Sequence, residues 1–168
     1  MQSIQAPQLV STHIWPVRVY IEDTDAGGIV YYVNYLKYME RARTEYLRTL
    51  GWDHQNLMHS FQSHFVVHQV QIQYQKPVGM DQQLWVLTQV QSASKVRIHF
   101  QQRIYLGGPT WDAHLVQASS ESELAAYRVC QARIDVAYVN ATKRKPTAMP
   151  APLVKALGEC IQKGDEGE

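Results

Sequence analysis

The sequence predicts an α+β domain in which one long helix packs against a curved antiparallel sheet. Between about residues 33 and 50, apolar and aromatic side chains such as Tyr35, Met39 and Tyr46 recur at helical spacing. The chain then changes to period-two alternation, in segments separated by turn residues. One helix followed by several long strands buries its apolar faces best when the sheet wraps around the helix. Such a sheet keeps free edges, which favours self-association.

The first predicted elements surround an acidic turn. Residues 16–22 alternate as a strand, with Val17, Val19 and Ile21 on one face. The run AspThrAspAlaGlyGly at residues 23–28 has the composition of a turn. The long helix follows, and Gly51 is well placed to end it.

The second half of the chain is predicted to be β. In residues 64–75 one face is formed by alternate positions, namely Val66, His68, Val70, Ile72 and Tyr74. Residues 84–91, 96–106 and 124–138 alternate in a similar way, although Gln102 interrupts the apolar face of the second of these strands.

Composition places the chain among ordinary globular proteins. At 168 residues it is expected to form one domain at residues 15–150, after a flexible leader (1–14) and before a C-terminal helix or tail (151–168). The net charge of +1 gives no argument for nucleic acid, and no apolar run approaches the roughly 20 residues of a membrane span. Cys130 and Cys160 form no CxxC motif, which favours free thiols and a cytoplasmic location.

The acidic turn also suggests a chemistry. A buried carboxylate beside a helix start can attack a carbonyl or activate water, while helix-start amides hold the oxyanion. The residues alone favour the commoner alternative, in which Asp23 and Asp25 cap and shape a turn. A divalent-metal site is not expected, because Glu22, Asp23 and Asp25 alone lack the further ligands that such a site needs. His64 and His68 would lie about 13 Å apart on an extended strand, too far to share one ion.

Two longer segments indicate a family. The run YIEDTDAGGIVYYVNYL at residues 20–36 and the run ERARTEYLR at 40–48 resemble the hot-dog-fold acyl-CoA thioesterases. Within the 4-hydroxybenzoyl-CoA thioesterase family, the similarity is to the YbgC-type, Tol-Pal-associated branch, over roughly residues 15–150. The resemblance implies hydrolysis of acyl-CoA without a cofactor, in a homodimer or homotetramer with active sites between subunits. Acyl carrier protein is a further candidate partner.

The resemblance also assigns roles to residues. It implies that Asp25 is the catalytic nucleophile or general base and that the backbone amide of Tyr32 binds the oxyanion, with Gly28 close by. One such donor contributes roughly a hundred- to a thousandfold in rate. Many members of the YbgC-type branch have a histidine where this chain has Tyr32, but a backbone amide acts whatever the side chain. Lys95 and Arg97 are candidates to bind coenzyme A phosphates, against the alternative of solvated surface charge.

Three alternatives stay open. Glu40 is a reserve catalytic candidate, since a helical glutamate acts in a related branch, although a surface ion pair with Lys37 or Arg43 also explains it. A non-catalytic module that binds acyl-CoA or acyl carrier protein is the main functional rival. A hot-dog hydratase is disfavoured, because it would need a His/Asp pair where the chain has Tyr32 and Asp25. Residues 107–123 look longer than usual for the family, and we assign them no function.

Overall fold

The computed structural model describes residues 10–108 and 112–165. The first nine residues of the expected leader, residues 109–111 of the long segment and the last three residues of the tail lie outside the described residues. The strands are β1 (Thr12–Arg18), β2 (Ser63–Tyr74), β3 (Gln83–Ala93), β4 (Arg97–Leu106), β5 (Arg128–Asn140) and β6 (Lys145–Pro146). The helices are α1 (Asn34–Thr49), α2 (His54–Phe61), α3 (Ala113–Ala118), α4 (Glu121–Leu124) and α5 (Ala151–Asp165).

The strands form one antiparallel sheet in the order β1-β3-β4-β5-β2, with β6 paired to the end of β5. The sheet curls around α1, so the predicted α+β architecture is confirmed. Three residues expected in the flexible leader, 12–14, belong to β1 instead. Within the described residues, no helix has the length and apolar character needed to cross a bilayer.

The long helix follows the predicted stripe. Tyr38, Met39, Ala42 and Tyr46 are completely buried, and they pack with the apolar side chains of the inner sheet face. Gly51 ends the helix as predicted, with a φ of 83° and its amide donating to the carbonyl of Arg48 at 2.9 Å. A left-handed φ of this kind suits glycine because it has no Cβ.

The strand predicted at residues 16–22 is wrong in its second half. The pairing of β1 ends at Arg18, and Ile21–Asp23 form a 3-10 turn that leaves Ile21 74% exposed. The cause is local, because the carboxylate of Asp23 accepts a hydrogen bond from the amide of Tyr20 and curls the chain. Val19 is fully buried, as the alternating pattern predicted.

A β-bulge changes the predicted face of β2. The register with β5 shifts between Val67 and Gln69, so that His68 is the extra residue. As a result Val67 lies opposite Val136 and shares the inner face with Val70, whereas Val66 points to the other side. The simple alternation from Val66 to Tyr74 predicted from sequence therefore holds only beyond the bulge.

The segment after β4 covers part of the outer sheet face. Its helices α3 and α4 contribute Val116 and Leu124 to a small buried cluster with Trp85, Leu87 and Tyr105. This gives the described part of residues 107–123 a structural role, which is to shield apolar side chains on the outside of the sheet.

Gln102, which interrupted the apolar pattern of β4, lies at the centre of a buried polar network. Its amide group donates to the hydroxyl of Thr88 at 2.8 Å and to the carbonyl of Met39 at 3.0 Å. Its oxygen accepts a hydrogen bond of 2.7 Å from the guanidinium of Arg43. Because all these groups are buried, the network ties α1 to the sheet in one position.

Replacing Gln102 by methionine is expected to lower the free energy of unfolding by about 2–3 kcal/mol, since it strands buried donors and acceptors. Urea denaturation checks this. The matched control is Gln101→Met, at the adjacent half-buried position of the same strand, where about 0.5 kcal/mol or less is expected. Equal losses in the two variants would contradict the role of the network.

Candidate active site

Asp23 anchors the acidic turn to the start of α1. Its side chain is 8% exposed and accepts from the amide of Tyr20, while its backbone carbonyl accepts from the amide of Tyr31 at 2.9 Å. The same carbonyl accepts a hydrogen bond of 2.8 Å from the side-chain amide of Asn34, the first residue of the helix. Asp23 therefore has the structural role predicted for it. Its hydrogen bonds hold the residue before the acidic turn, Tyr20, and the start of α1, Asn34, in fixed positions.

The turn itself presents Asp25. The amide of Asp25 donates to the carbonyl of Ile29 at 2.9 Å, and the amide of Gly28 donates back to the carbonyl of Asp25 at 2.9 Å. Gly28 has a φ of 75°, and Gly27 donates its amide to the Asp25 carboxylate at 2.8 Å. A Cβ at Gly27 would lie 3.1 Å from that carboxylate oxygen, so both glycines are needed for this shape.

The expectation of a buried catalytic carboxylate is wrong for the single protomer. Asp23 is the buried aspartate, whereas Asp25 is exposed. A short turn stabilised by backbone hydrogen bonds leaves the second carboxylate facing outward. Asp25 is thus open to a substrate or to another protein surface.

The amide of Tyr32 is available as a donor. The helix begins at Asn34, so Tyr32 lies in the turn just before it, and the amide of Asn34 is already bonded to the carbonyl of Tyr31. Within the described residues the Tyr32 amide has no hydrogen-bond acceptor. A free amide at the positive end of a 16-residue helix is suited to hold an oxyanion.

Aromatic side chains surround this amide. Tyr31 and Tyr32 contact each other with ring centroids 4.8 Å apart, and the hydroxyl of Tyr74 donates to the carbonyl of Tyr32 at 2.9 Å. A hydrogen bond with Tyr32 raises the pKa of the Tyr31 phenol, and the negative charge of Asp25 adds a smaller contribution in the same direction. The charge of Asp25 therefore acts on Tyr31, one of the two tyrosines beside the free amide. A cleft of about 280 Å³ opens between Ile29, Tyr32 and Tyr74.

A second cleft continues along α1. It lies between the helix and the inner face of β2, and its volume is about 440 Å³. Its lining residues are Val33, Leu36, Lys37, Glu40, Arg41, Arg43, Val67, Val70 and Ile134. A smaller cavity of about 80 Å³ shares Glu40, Arg43 and Val67 with it and reaches inward to Phe100. The second cleft and the cavity together form a groove beside the middle of the helix, and the first cleft opens next to it, since the neighbouring residues Tyr32 and Val33 line one cleft each.

The structure does not bring Lys95 and Arg97 to Asp25 within one protomer. They lie in and just after the turn between β3 and β4, at the end of the sheet where β2 begins at Ser63. The acidic turn packs at the other end, where Ile29 bridges to Gly79. The length of β4, about 30 Å at roughly 3.3 Å per residue, separates the two ends.

Glu40 does not form the ion pair considered as its alternative role. Its carboxylate accepts a hydrogen bond of 3.0 Å from the hydroxyl of Thr44, and it makes no salt bridge with Lys37 or Arg43 among the described residues.

Sequence reasoning missed two buried polar side chains near the groove, Asn34 and Arg43, which are 5% and 8% exposed. Their signal was present, because each is a polar residue placed within or beside the apolar stripe of α1. A periodicity analysis registers a polar residue in an apolar stripe only as a break in the pattern, and it does not show that the side chain is buried.

Comparison with known proteins gives a consistent result. A family model described as the thioesterase-like superfamily matches residues 19–157. The acyl-CoA thioesterase YbgC of Haemophilus influenzae is 39% identical over 143 residues, which cover 85% of this chain and 92% of that protein. The acyl-CoA thioesterase YbgC of Helicobacter pylori is 32% identical over 133 residues, covering 79% of this chain and 90% of its own.

Solved structures share the fold. A 1,4-dihydroxy-2-naphthoyl-CoA thioesterase from Synechocystis superposes with a TM-score of 0.72 at 20% identity, over 88% of this chain and 96% of its own. A probable thioesterase from Bartonella henselae gives a TM-score of 0.68 at 26% identity, over 83% of this chain and 99% of that protein. These likenesses confirm the expected hot-dog architecture.

Replacing Asn34 by alanine is expected to loosen the acidic turn, because the carbonyl of Asp23 loses its side-chain donor. The cost is about 1–3 kcal/mol of folding free energy, and hydrogen exchange should accelerate at the amides of Asp25, Gly28 and Tyr31. Exchange measured by mass spectrometry checks this. Asn56→Ala on the exposed face of α2 is the control, and unchanged exchange in Asn34→Ala would refute the anchoring role.

Proposed function

Because the chain belongs to the thioesterase-like superfamily, we propose that it hydrolyses an acyl-CoA thioester to a free acid and coenzyme A. The resemblance expected from residues 20–48 is confirmed, and the relatives named acyl-CoA thioesterases match most of this chain. The observation that carries the proposed site is the pairing of an exposed carboxylate, Asp25, with the unbonded amide of Tyr32. Asp25 and Tyr32 lie in one short segment, residues 24–33, and hydrogen bonds to Asp23 fix this segment near its end.

In this mechanism the thioester carbonyl oxygen accepts a hydrogen bond from the Tyr32 amide. The carboxylate of Asp25 then attacks the carbonyl carbon, or it removes a proton from a water molecule that attacks in its place. The negative charge that develops on the carbonyl oxygen is stabilised by the amide and by the N-terminal end of α1. The carbon–sulfur bond breaks, the coenzyme A thiolate takes a proton, and the acid is released. If Asp25 forms an anhydride, water hydrolyses it in a second step.

The active unit is proposed to be a homodimer, with a homotetramer built from two such dimers as the larger alternative. The edge of β2 is unpaired within the described residues, and its inner-face side chains Val67 and Val70 are 48% and 36% exposed. Around the acidic turn, Ile29 and Tyr32 are also exposed. A second copy placed against this face would bury these apolar groups and remove water from Asp25.

Dimerisation would also bring Lys95 and Arg97 of one subunit towards the active site of the other. If two β2 edges pair antiparallel, the end of one sheet that carries Lys95 lies towards the end of the other that carries Asp25. These residues are therefore proposed to bind coenzyme A phosphates across the interface, together with Gly28, whose backbone lines the approach to the carbonyl. Both basic side chains are exposed and make no salt bridge among the described residues.

The same basic surface, extended by Lys143, Arg144 and Lys145, also fits an acidic protein, so acyl carrier protein is proposed as a second thioester donor. A cytoplasmic location is proposed as well, supported by the two unpaired cysteines Cys130 and Cys160.

The substitution Asp25→Asn is expected to reduce thioester hydrolysis by roughly a hundred- to ten-thousandfold, because the carboxylate is lost while its shape stays. Thiol release from a panel of short, long and aromatic acyl-CoAs measures this. The control is Glu22→Gln, an exposed carboxylate in the preceding 3-10 turn, for which unchanged rates are expected. If wild type binds acyl-CoA tightly but hydrolyses no thioester, and Asp25→Asn binds equally well, the binding-module alternative replaces the enzyme.

The substitution Val70→Glu is expected to raise the dissociation constant of the dimer at least about tenfold, since it places an ionised group against an apolar surface. Sedimentation velocity of Val70→Glu checks this. Gln71→Glu, on the outer face of the same strand, is the matched control. A Val70→Glu protein that stays dimeric would exclude this face as the interface.

A further inference from the structure

Arg43 is a cation buried in the groove between α1 and the sheet. It is 8% exposed, yet it lines both the cleft of about 440 Å³ and the inner cavity of about 80 Å³. Most of the other walls are apolar, including Val67, Val70 and Phe100. A buried charge in such surroundings is costly unless an opposite charge or several acceptors compensate it.

The protein compensates this charge only in part. One guanidinium nitrogen donates to Gln102 at 2.7 Å, and among the described residues Arg43 forms no salt bridge. A guanidinium has five N–H donors, so most of them are left for another acceptor. Desolvation lowers the pKa of Arg43 to about 10, with a smaller opposing effect of Glu40, so the group stays cationic at neutral pH.

Arg43 and the proposed reaction centre lie in adjacent clefts along the same helix. Tyr32 lines the first cleft, its neighbour Val33 lines the second, and Arg43 lines the second and the inner cavity. Arg43 lies ten positions after Val33, the residue that precedes α1, which is about 15 Å along the helix axis at roughly 1.5 Å per residue. An extended acyl chain whose carbonyl meets the Tyr32 amide would therefore place its far end near the guanidinium.

We propose that Arg43 binds a carboxylate at the far end of the acyl group, so that the preferred substrates are acyl-CoAs of dicarboxylic acids. This inference rests on the proposed thioesterase function and names the substrate class of that site. The apolar walls hold the methylene chain, and the guanidinium forms charge-assisted hydrogen bonds with the terminal carboxylate, which fits its planar arrangement of donors.

The charges around the groove favour an anion. Lys37, Arg41 and Arg43 line it against the single carboxylate of Glu40. Glu40 is exposed and engaged by the hydroxyl of Thr44, so it lies towards the solvent side, whereas Arg43 lies inside. A methyl-terminated acyl group in the groove would displace solvent from the remaining donors of Arg43 without offering them an acceptor, which is why it should be the poorer substrate.

The test compares two matched series of acyl-CoAs, namely succinyl, adipoyl, suberoyl and sebacoyl against butyryl, hexanoyl, octanoyl and decanoyl. Wild type should prefer the carboxylate-terminated member of the longer pairs by about tenfold or more in kcat/KM. Arg43→Gln should abolish this preference mainly through KM, and Arg43→Lys should retain part of it. Arg48→Gln, an exposed arginine of α1 outside the groove, is the control and should keep the wild-type preference.

Binding gives a second readout that does not depend on turnover. Calorimetry with free sebacate and free decanoate should show tighter binding of sebacate to wild type, and Arg43→Gln should lose the difference. If wild type hydrolyses both series equally, or prefers the methyl-terminated one, the inference is overturned while the thioesterase function stands. If no acyl-CoA is hydrolysed, the proposed function fails. The calorimetric comparison of sebacate with decanoate then tests separately whether Arg43 binds a terminal carboxylate. The wild-type comparisons hold even if Arg43→Gln does not fold.

Discussion

The backbone carbonyl and the carboxylate of Asp23 are the points on which the geometry of this site depends. One aspartate receives hydrogen bonds from Tyr20, from Tyr31 and from the side chain of Asn34, so the end of the first strand, the turn and the helix start share one buried anchor. The neighbouring Asp25 is then free to point outward, and the Tyr32 amide is left without an acceptor. The exposed carboxylate of Asp25 and the unbonded amide of Tyr32 contribute little to the stability of the turn, which the hydrogen bonds of Asp23 supply instead.

A second buried polar group fixes the helix against the sheet. Gln102 reaches a backbone carbonyl of α1, a threonine of the neighbouring strand and the guanidinium of Arg43. Apolar packing alone would allow the helix to slide by small amounts along the sheet, whereas these hydrogen bonds are satisfied in only one position. The position of the helix start, and with it the proposed oxyanion donor, is therefore fixed by Asp23 at the start of α1 and by the Gln102 network at its middle.

Periodicity was sufficient to predict α1, its end at Gly51, β3, β4 and most of β5, because each of these elements buries one regular face. The strand predicted at 124–138 begins four residues too early, since residues 121–127 form short helical turns. It failed where a single side chain redirects the backbone. The carboxylate of Asp23 curls residues 21–23 out of the predicted strand, and this bond is visible only once Tyr20 is placed. The acidic turn was recognised as a candidate site through its resemblance to a family. The groove was not, because Arg43 looks like an ordinary surface cation until its burial is known.

The bulge in β2 has a consequence for solubility. A long, straight, unpaired strand edge is a template on which further chains can add without limit. The extra residue at His68 bends this edge at its middle and interrupts its row of donors and acceptors. In the proposed homodimer, an edge of this shape would still pair with one copy related by two-fold symmetry, because both copies bend alike. Such an edge is a poor template for further chains. The bulge that changed the predicted inner face of β2 therefore also disfavours open-ended aggregation.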